Sequence, residues 1–130
     1  MQDADFSDQF CSFIQRAVPT VEAADLLLIL SAQPETWWSV TELAARLRPG
    51  LMLTDSEVVR YVEIFQKNRL LDIGADKRFR YRPENEQLNA DVQTLTQAYR
   101  ERPVTLIRMI YAFRDAKIRS FADAFKLRGN

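Results

Sequence analysis

The sequence contains no histidine, one cysteine and three glycines, and these shortages exclude several kinds of active site. Without histidine, a serine or cysteine nucleophile lacks its usual imidazole base. One cysteine and no histidine leave a single chain without the ligands of an ordinary zinc site and exclude an internal disulfide. Gly50, Gly74 and Gly129 are too far apart for a phosphate-binding loop. We therefore expect a protein that is not an enzyme and that holds no metal or cofactor.

Long apolar runs are also missing from the chain. The longest uninterrupted run is Leu26–Leu30, whereas a membrane-spanning helix needs about 20 residues. A hydrophobic content of 47% in 130 residues is sufficient for a packed core without a disulfide or a metal. The single cysteine, Cys11, suits a small buried side chain in a reducing compartment. These features predict a cytoplasmic protein with no membrane partner.

Charge is balanced overall but is unevenly divided along the chain. Residues 1–59 carry nine acids and three bases, a net charge of −6. Residues 60–130 carry nine acids and fifteen bases, a net charge of +6. This polarity favours a polyanionic partner for the basic half, or contact between opposite faces of two copies. Uneven charge on an ordinary protein surface is the alternative.

Two capping motifs in the middle of the chain predict a pair of helices. Ser39-Val40-Thr41-Glu42 opens a helix through Leu47, and Thr54-Asp55-Ser56-Glu57 opens a longer helix to about Asn68. Along the longer helix, apolar residues fall on one face and polar residues on the other. The apolar face holds Val58, Tyr61, Val62 and Phe65, and the polar face holds Ser56, Arg60, Glu63 and Lys67. Two capped helices joined by a turn form a helix-turn-helix pattern.

The next segment predicts a β-hairpin with one basic face. Residues 70–73 are followed by a turn at Gly74-Ala75-Asp76 and then by alternating aromatic and basic residues. Because successive side chains of a strand point to opposite faces, we expect Phe79 and Tyr81 on the buried side. The basic residues, expected to face solvent, are Lys77, Arg78, Arg80 and Arg82. A charged strand that protects a sheet edge is the alternative.

The residues after Pro83 predict helices with more apolar surface than a small core can cover. From Val104 to Phe113 the sequence has almost no polar face, so we expect this segment to be buried on several sides. We therefore divide the chain into a core, residues 1–83, and a C-terminal helical extension, residues 84–130. The extension is expected to fold back on the first helix, to dimerise or to dock a protein partner. The residues expected at a dimer or partner interface are Leu95, Tyr99, Ile107, Tyr111, Phe121 and Phe125.

The order of these elements resembles the winged helix-turn-helix family, in particular its small prokaryotic transcription regulators such as the MarR-like ones. The resemblance covers about Val21 to Pro83, roughly half of the chain, and includes an extended piece with Trp37 and Trp38 between the helices. It implies a mainly α fold with a small hairpin, in which the second helix of the pair enters the major groove of DNA and the hairpin, or wing, follows the backbone. By position, it implies that Ser56, Arg60, Glu63 and Lys67 of the recognition helix and Lys77, Arg78, Arg80 and Arg82 of the wing bind DNA.

The expected function is sequence-dependent binding of double-stranded DNA by a homodimeric transcription regulator. The alternative is a winged helix that binds a protein instead of DNA. The basic hairpin favours DNA. The acidic start of the longer helix, with Asp55 and Glu57, favours a protein partner, because carboxylates there stabilise the helix but repel phosphates.

Overall fold

The computed structural model describes residues 6–47 and 50–128, and for residues 117–128 it describes the backbone alone. In these ranges the chain is mainly helical with a small antiparallel hairpin, as predicted. The elements are α1 (Asp8–Ala17), α2 (Val21–Ala32), α3 (Val40–Ala44), α4 (Asp55–Lys67), β1 (Leu71–Ile73), β2 (Phe79–Tyr81), α5 (Glu86–Glu101) and α6 (Pro103–Arg128). Within the same ranges, no helix combines the length and the apolar content that a membrane crossing requires.

Both predicted capping motifs form at the starts of α3 and α4. The Glu42 N–H donates to Ser39 Oγ at 3.2 Å and the Ser39 N–H donates to Glu42 Oε1 at 2.9 Å. Thr54 and Glu57 exchange the same two hydrogen bonds at the same distances. Helix α3 ends at Ala44 rather than at Leu47, because the N–H groups of Arg46 and Leu47 donate three residues back instead of four. The tighter turn replaces the last predicted helical turn.

The hairpin has the predicted facing of its aromatic residues. In the antiparallel register, Leu71 lies opposite Tyr81 and Ile73 lies opposite Phe79. The Phe79 and Tyr81 side chains are buried, at 2% and 6% exposure. Glycine at position 74 relieves crowding in the turn, because a β-carbon there would lie 3.2 Å from Cζ3 of Trp37 and 3.0 Å from the Asp76 carboxylate.

A short backbone bridge joins the hairpin to the segment between α2 and α3. The Trp38 N–H donates to the Phe79 carbonyl at 2.7 Å, and the Phe79 N–H donates to the Trp38 carbonyl at 3.0 Å. Trp38 is 3% exposed and anchors α3 against the core, whereas Trp37 is 36% exposed. The hairpin is therefore fixed relative to the α3–α4 pair and does not project as an independent arm.

One continuous core contains side chains from all eight described elements. Helix α5 packs on α1 and α2, and α6 packs on α1 and α5. The C-terminal extension thus folds back on the first helix, which was one of its three expected arrangements, and the core continues across residue 83. Leu95 is fully buried in this core, so its prediction as an interface residue is wrong.

The segment from Val104 to Phe113 is covered on one side rather than on several. Leu106 and Met109 are buried, and Met109 Sδ lies 3.8 Å from Cys11 Sγ of α1. Val104 and Tyr111 are 60% and 51% exposed. Within one copy of the chain, α6 therefore rests on its neighbours along a single stripe, and the predicted burial on several sides requires a second copy or a partner. Phe121 and Phe125 lie outside the described side chains.

Replacing Phe79 by alanine should destabilise the whole fold, because its ring is buried where the hairpin meets Trp38. Loss of a buried phenylalanine ring costs about 3–5 kcal/mol of unfolding free energy. Ile73→Ala is the matched control, since Ile73 is the strand partner of Phe79 but is 37% exposed. Urea denaturation followed by circular dichroism measures both variants. Equal losses would contradict the facing of the hairpin described above.

Candidate nucleic-acid interface

The predicted recognition-helix residues share one exposed face of α4. Its apolar residues Val58, Tyr61, Val62 and Phe65 are all buried, and α4 packs against α3. On the opposite side, Ser56, Arg60, Glu63 and Lys67 are all exposed. Within the described residues, neither Arg60 nor Lys67 forms an ion pair, so both cations are available to a ligand.

The start of α4 carries a fixed negative charge. The carboxylate of Glu57 accepts hydrogen bonds from the backbone N–H and the hydroxyl of Thr54, at 2.9 and 3.1 Å. These bonds, with a smaller contribution from the Arg60 charge, hold the pKa of Glu57 below its usual 4.5. Glu57 is therefore ionised at neutral pH, next to the exposed Asp55. This end of the helix repels phosphates.

Arg78 is held within the protein rather than presented to solvent alone. Its Nη1 lies 2.8 Å from Oε1 of Glu42 and 3.4 Å from the Trp37 carbonyl, and its Nε lies 3.8 Å from Asp76. The Glu42 carboxylate therefore both caps α3 and pairs with the hairpin. Arg78 does reach solvent, with 43% of its side chain exposed, but its guanidinium also pairs with Glu42, a residue 36 positions away in the sequence.

Arg80 is also engaged inside the protein. Its Nη2 lies 3.3 Å from Oδ2 of Asp72, and its guanidinium carbon lies 4.6 Å from the centre of the Trp37 ring. Arg82 approaches the same Asp72 oxygen at 3.9 Å but is 68% exposed. Lys77 is exposed at the turn with a positive φ of 68°, and it has no ion pair among the described residues. Lys77 and Arg82 are thus the most accessible cations of the hairpin.

The surface formed by Glu42 of α3, the exposed charged residues of α4 and the hairpin residues 71–82, which we call the candidate interface, has no net charge. Its bases number six and its acids number six. The bases are Arg60, Lys67, Lys77, Arg78, Arg80 and Arg82, and the acids are Glu42, Asp55, Glu57, Glu63, Asp72 and Asp76. Any affinity for a polyanion must come from the placement of single cations rather than from a positive field.

A second group of cations, which the sequence analysis did not single out, lines a cleft of about 320 Å³. The cleft runs along α1 from Gln9 to Arg16, beside the end of α4 and the first two turns of α5. Its cations are Arg16, Lys67 and Arg69. The structure therefore places Lys67 beside Arg16 and Arg69, at the far end of α4 from its acidic start. Arg16 and Lys67 lie in the last turns of α1 and α4, where basic residues are common because they stabilise the helix. The sequence therefore carries no signal that these two residues converge with Arg69.

The remaining residues predicted at an interface are divided between the core and the surface. Ile107 and Tyr99 are half-buried, and Tyr111 is exposed. Ile107 and Tyr111 lie with the exposed Val104 on the outer side of α6. Among the described residues, there is no cluster of three or more histidine, cysteine, aspartate or glutamate side chains suited to a metal ion.

No family model, no curated protein and no solved structure matches this chain. Its function is therefore inferred from the geometry and the chemistry of its own side chains.

The stability of the protein should fall in acid as Glu42 is protonated. The hydrogen bond from the Ser39 N–H, then the Ser39 side chain and then Arg78 hold the pKa of Glu42 below its usual 4.5. A depressed folded pKa contributes stability that is fully present above the unfolded value and is lost as the pH falls through the folded value. We expect the gap in unfolding free energy between wild type and Glu42→Gln to be constant above about pH 5 and to close below it.

Urea denaturation at a series of pH values measures this gap. Glu35→Gln is the control, because Glu35 is an exposed carboxylate outside both caps. A gap that stayed constant down to the acid limit of folding would show that the cap and the Arg78 pair do not depend on the Glu42 charge.

Proposed function

We propose that this chain is a winged-helix protein that binds double-stranded DNA in the cytoplasm as a transcription regulator and that it has no catalytic activity. In this proposal α4 is the recognition helix and the β1–β2 hairpin is the wing. The observation that carries the proposal is the exposed polar face of α4, whose four residues lie on one side while the opposite side is buried. A helix of 13 residues with one free polar face suits the major groove of B-DNA.

The cations of the wing divide into two roles. Lys77 and Arg82 are exposed and contact phosphates. Arg78 and Arg80 position the wing through Glu42, Asp72 and the Trp37 ring. Exposed ion pairs contribute about 0–1 kcal/mol, so a phosphate can displace Asp72 from Arg82 at little cost. On α4, Arg60 is the residue with the reach and the donors to bind a guanine edge.

A second candidate function is the binding of a protein by the same surface. The observation that favours it is the equal number of acids and bases on the candidate interface, together with the acidic first turn of α4. A surface without net charge suits a protein partner, whose charges can be matched one by one. The two functions differ in their response to a random DNA duplex at low salt.

Removal of the two exposed wing cations should weaken binding to any duplex by a similar factor. Each phosphate contact contributes about 0.9 to the slope of log affinity against log salt concentration. The double variant Lys77→Ala/Arg82→Ala should therefore flatten that slope by about 1.8, and Arg78→Ala should change it much less. Arg60→Ala should instead alter the preference among sequences, by about 1–3 kcal/mol if it binds guanine. Fluorescence anisotropy titrations at several salt concentrations measure all of these effects.

Arg100→Ala/Arg114→Ala is the charge-matched control, because both side chains are exposed on α5 and α6, away from the candidate interface. It should leave the slope unchanged. Absence of binding by the wild type to any duplex at low salt would contradict DNA binding and leave the protein partner as the surviving candidate.

The same proposal includes a homodimer that forms through the outer side of α6. Val104, Ile107 and Tyr111 form an apolar stripe there, flanked by the exposed Arg108 and Asp115. When two copies of α6 pair in antiparallel orientation about a point midway between Tyr111 and Ala112, Arg108 of each copy lies opposite Asp115 of the other. The two-fold axis then forms the Arg108–Asp115 ion pair twice, because an isologous interface uses the same surface of both copies.

Reversal of these charges should test the dimer and its orientation together. Arg108→Asp and Asp115→Arg should each lower the dimer fraction, and the combined variant should restore it, because the pairs re-form with opposite sign. Sedimentation equilibrium at micromolar concentration measures the fraction, and circular dichroism confirms folding. A wild type that sediments as a 15.1 kDa monomer would exclude the dimer.

A further inference from the structure

The cleft between α1, α4 and α5 is built from segments that hydrogen bonds hold together. The Asn68 side chain donates to the Arg16 carbonyl at 3.3 Å and to the Ile64 carbonyl at 2.8 Å, which joins the end of α1 to the end of α4. The Glu84 N–H donates to the Arg69 carbonyl at 3.0 Å, which joins the end of α4 to the start of α5. The three cations are therefore carried on a preformed frame.

These cations have little internal compensation. Lys67 forms no ion pair among the described residues, and Arg16 contacts Ser12 Oγ at a long 3.4 Å. Arg69 pairs through Nη1 with Glu84 at 2.9 Å, and this pair is exposed on both sides and therefore weak. Three positive side chains thus face one open volume and repel one another while it contains solvent.

The one carboxylate that lines the cleft is already engaged. Asp91 is 3% exposed and accepts hydrogen bonds from Gln9 Nε2 at 3.1 Å and from Gln87 Nε2 at 3.2 Å. Its oxygens are thus turned to amide donors that also line the cleft. The lining has three cations against this single buried acid, so its net charge is +2, in contrast to the uncharged candidate interface.

We propose that this cleft binds a phosphate group through Arg16, Lys67 and Arg69. A phosphate offers several terminal oxygens and up to two negative charges, which suits three cations that approach from separate segments. Arginine holds such oxygens through paired N–H groups, and lysine adds a compact charge. Asn68, Asn85 and Gln87 place amide groups around the same volume.

The phosphate can come from a DNA backbone or from a small phosphorylated molecule. Arg69 also lines a neighbouring cleft of about 440 Å³ that contains Arg82 of the hairpin beside Asp72 and Glu84, so the two clefts together connect the hairpin to Arg16 through Arg69. A DNA strand that leaves the wing along this connection would put a backbone phosphate in the cleft, and this source rests on the proposed function. A free phosphate ester needs no DNA binding.

The test uses inorganic phosphate as the probe and nuclear magnetic resonance as the readout. Titration of the full chain should shift the amide signals of Asn68, Asn85, Gln87 and Leu88 in a saturable way, relative to chloride at equal ionic strength. Arg16→Gln/Lys67→Gln should abolish these shifts, and Arg100→Gln/Arg114→Gln should retain them. If the amide signals of the first variant lose their dispersion, the variant is unfolded. The single variant Lys67→Gln is then used in its place, because Lys67 has no ion pair to lose among the described residues.

Duplex titrations of Arg16→Gln distinguish the two sources, because Arg16 lines the cleft but lies outside the candidate interface. A backbone phosphate in the cleft predicts that Arg16→Gln flattens the salt slope by about 0.9, and a small ligand predicts that Arg16→Gln keeps the wild-type slope. Phosphate shifts in a wild type that binds no duplex would support the cleft while contradicting the proposed function. A wild type without localised shifts, or a cleft variant that retains them, would overturn the site.

Discussion

Two backbone hydrogen bonds between Trp38 and Phe79 set the position of the hairpin, and the candidate interface depends on them. Two strands of three residues each make a marginal hairpin in water. The bridge adds a third extended segment to it. On the far side, the Tyr81 hydroxyl donates to Asn89 of α5 at 2.8 Å. The hairpin is thus held from both sides, and the contacts of Arg78 with Glu42 and of Arg80 with Trp37 follow from that position.

The features that could be predicted from the sequence are those determined by neighbouring residues. Capping pairs lie three residues apart, so α4 was predicted to within about one residue of its ends. The facing of Phe79 and Tyr81 follows from a period of two, although β2 spans only three of the six residues in the alternating segment. The ion-pair partners of the hairpin arginines could not be predicted from the sequence. Glu42 and Arg78 are 36 residues apart, and only the packing of α3 beside the hairpin brings them together.

Helix α6 shows what an apolar sequence pattern leaves undetermined. A segment with apolar residues on nearly all sides indicates that burial is needed but does not say which side the rest of the chain covers. Packing on α1 and α5 selected the stripe with Leu106 and Met109 and left Val104 and Tyr111 exposed. For the same reason Leu95, which the sequence pattern placed at a dimer or partner interface, belongs to the core.

The location of the two tryptophans has a consequence for spectroscopy. The sequence contains two tryptophans, and both lie at the junction of the hairpin with the α3–α4 pair. Trp38 is buried there, while Trp37 contacts Arg80 and packs over the turn at Gly74. The intrinsic tryptophan emission of the protein therefore originates from this junction alone. A change in its wavelength or intensity reports whether the hairpin remains packed against the α3–α4 pair, without any introduced label.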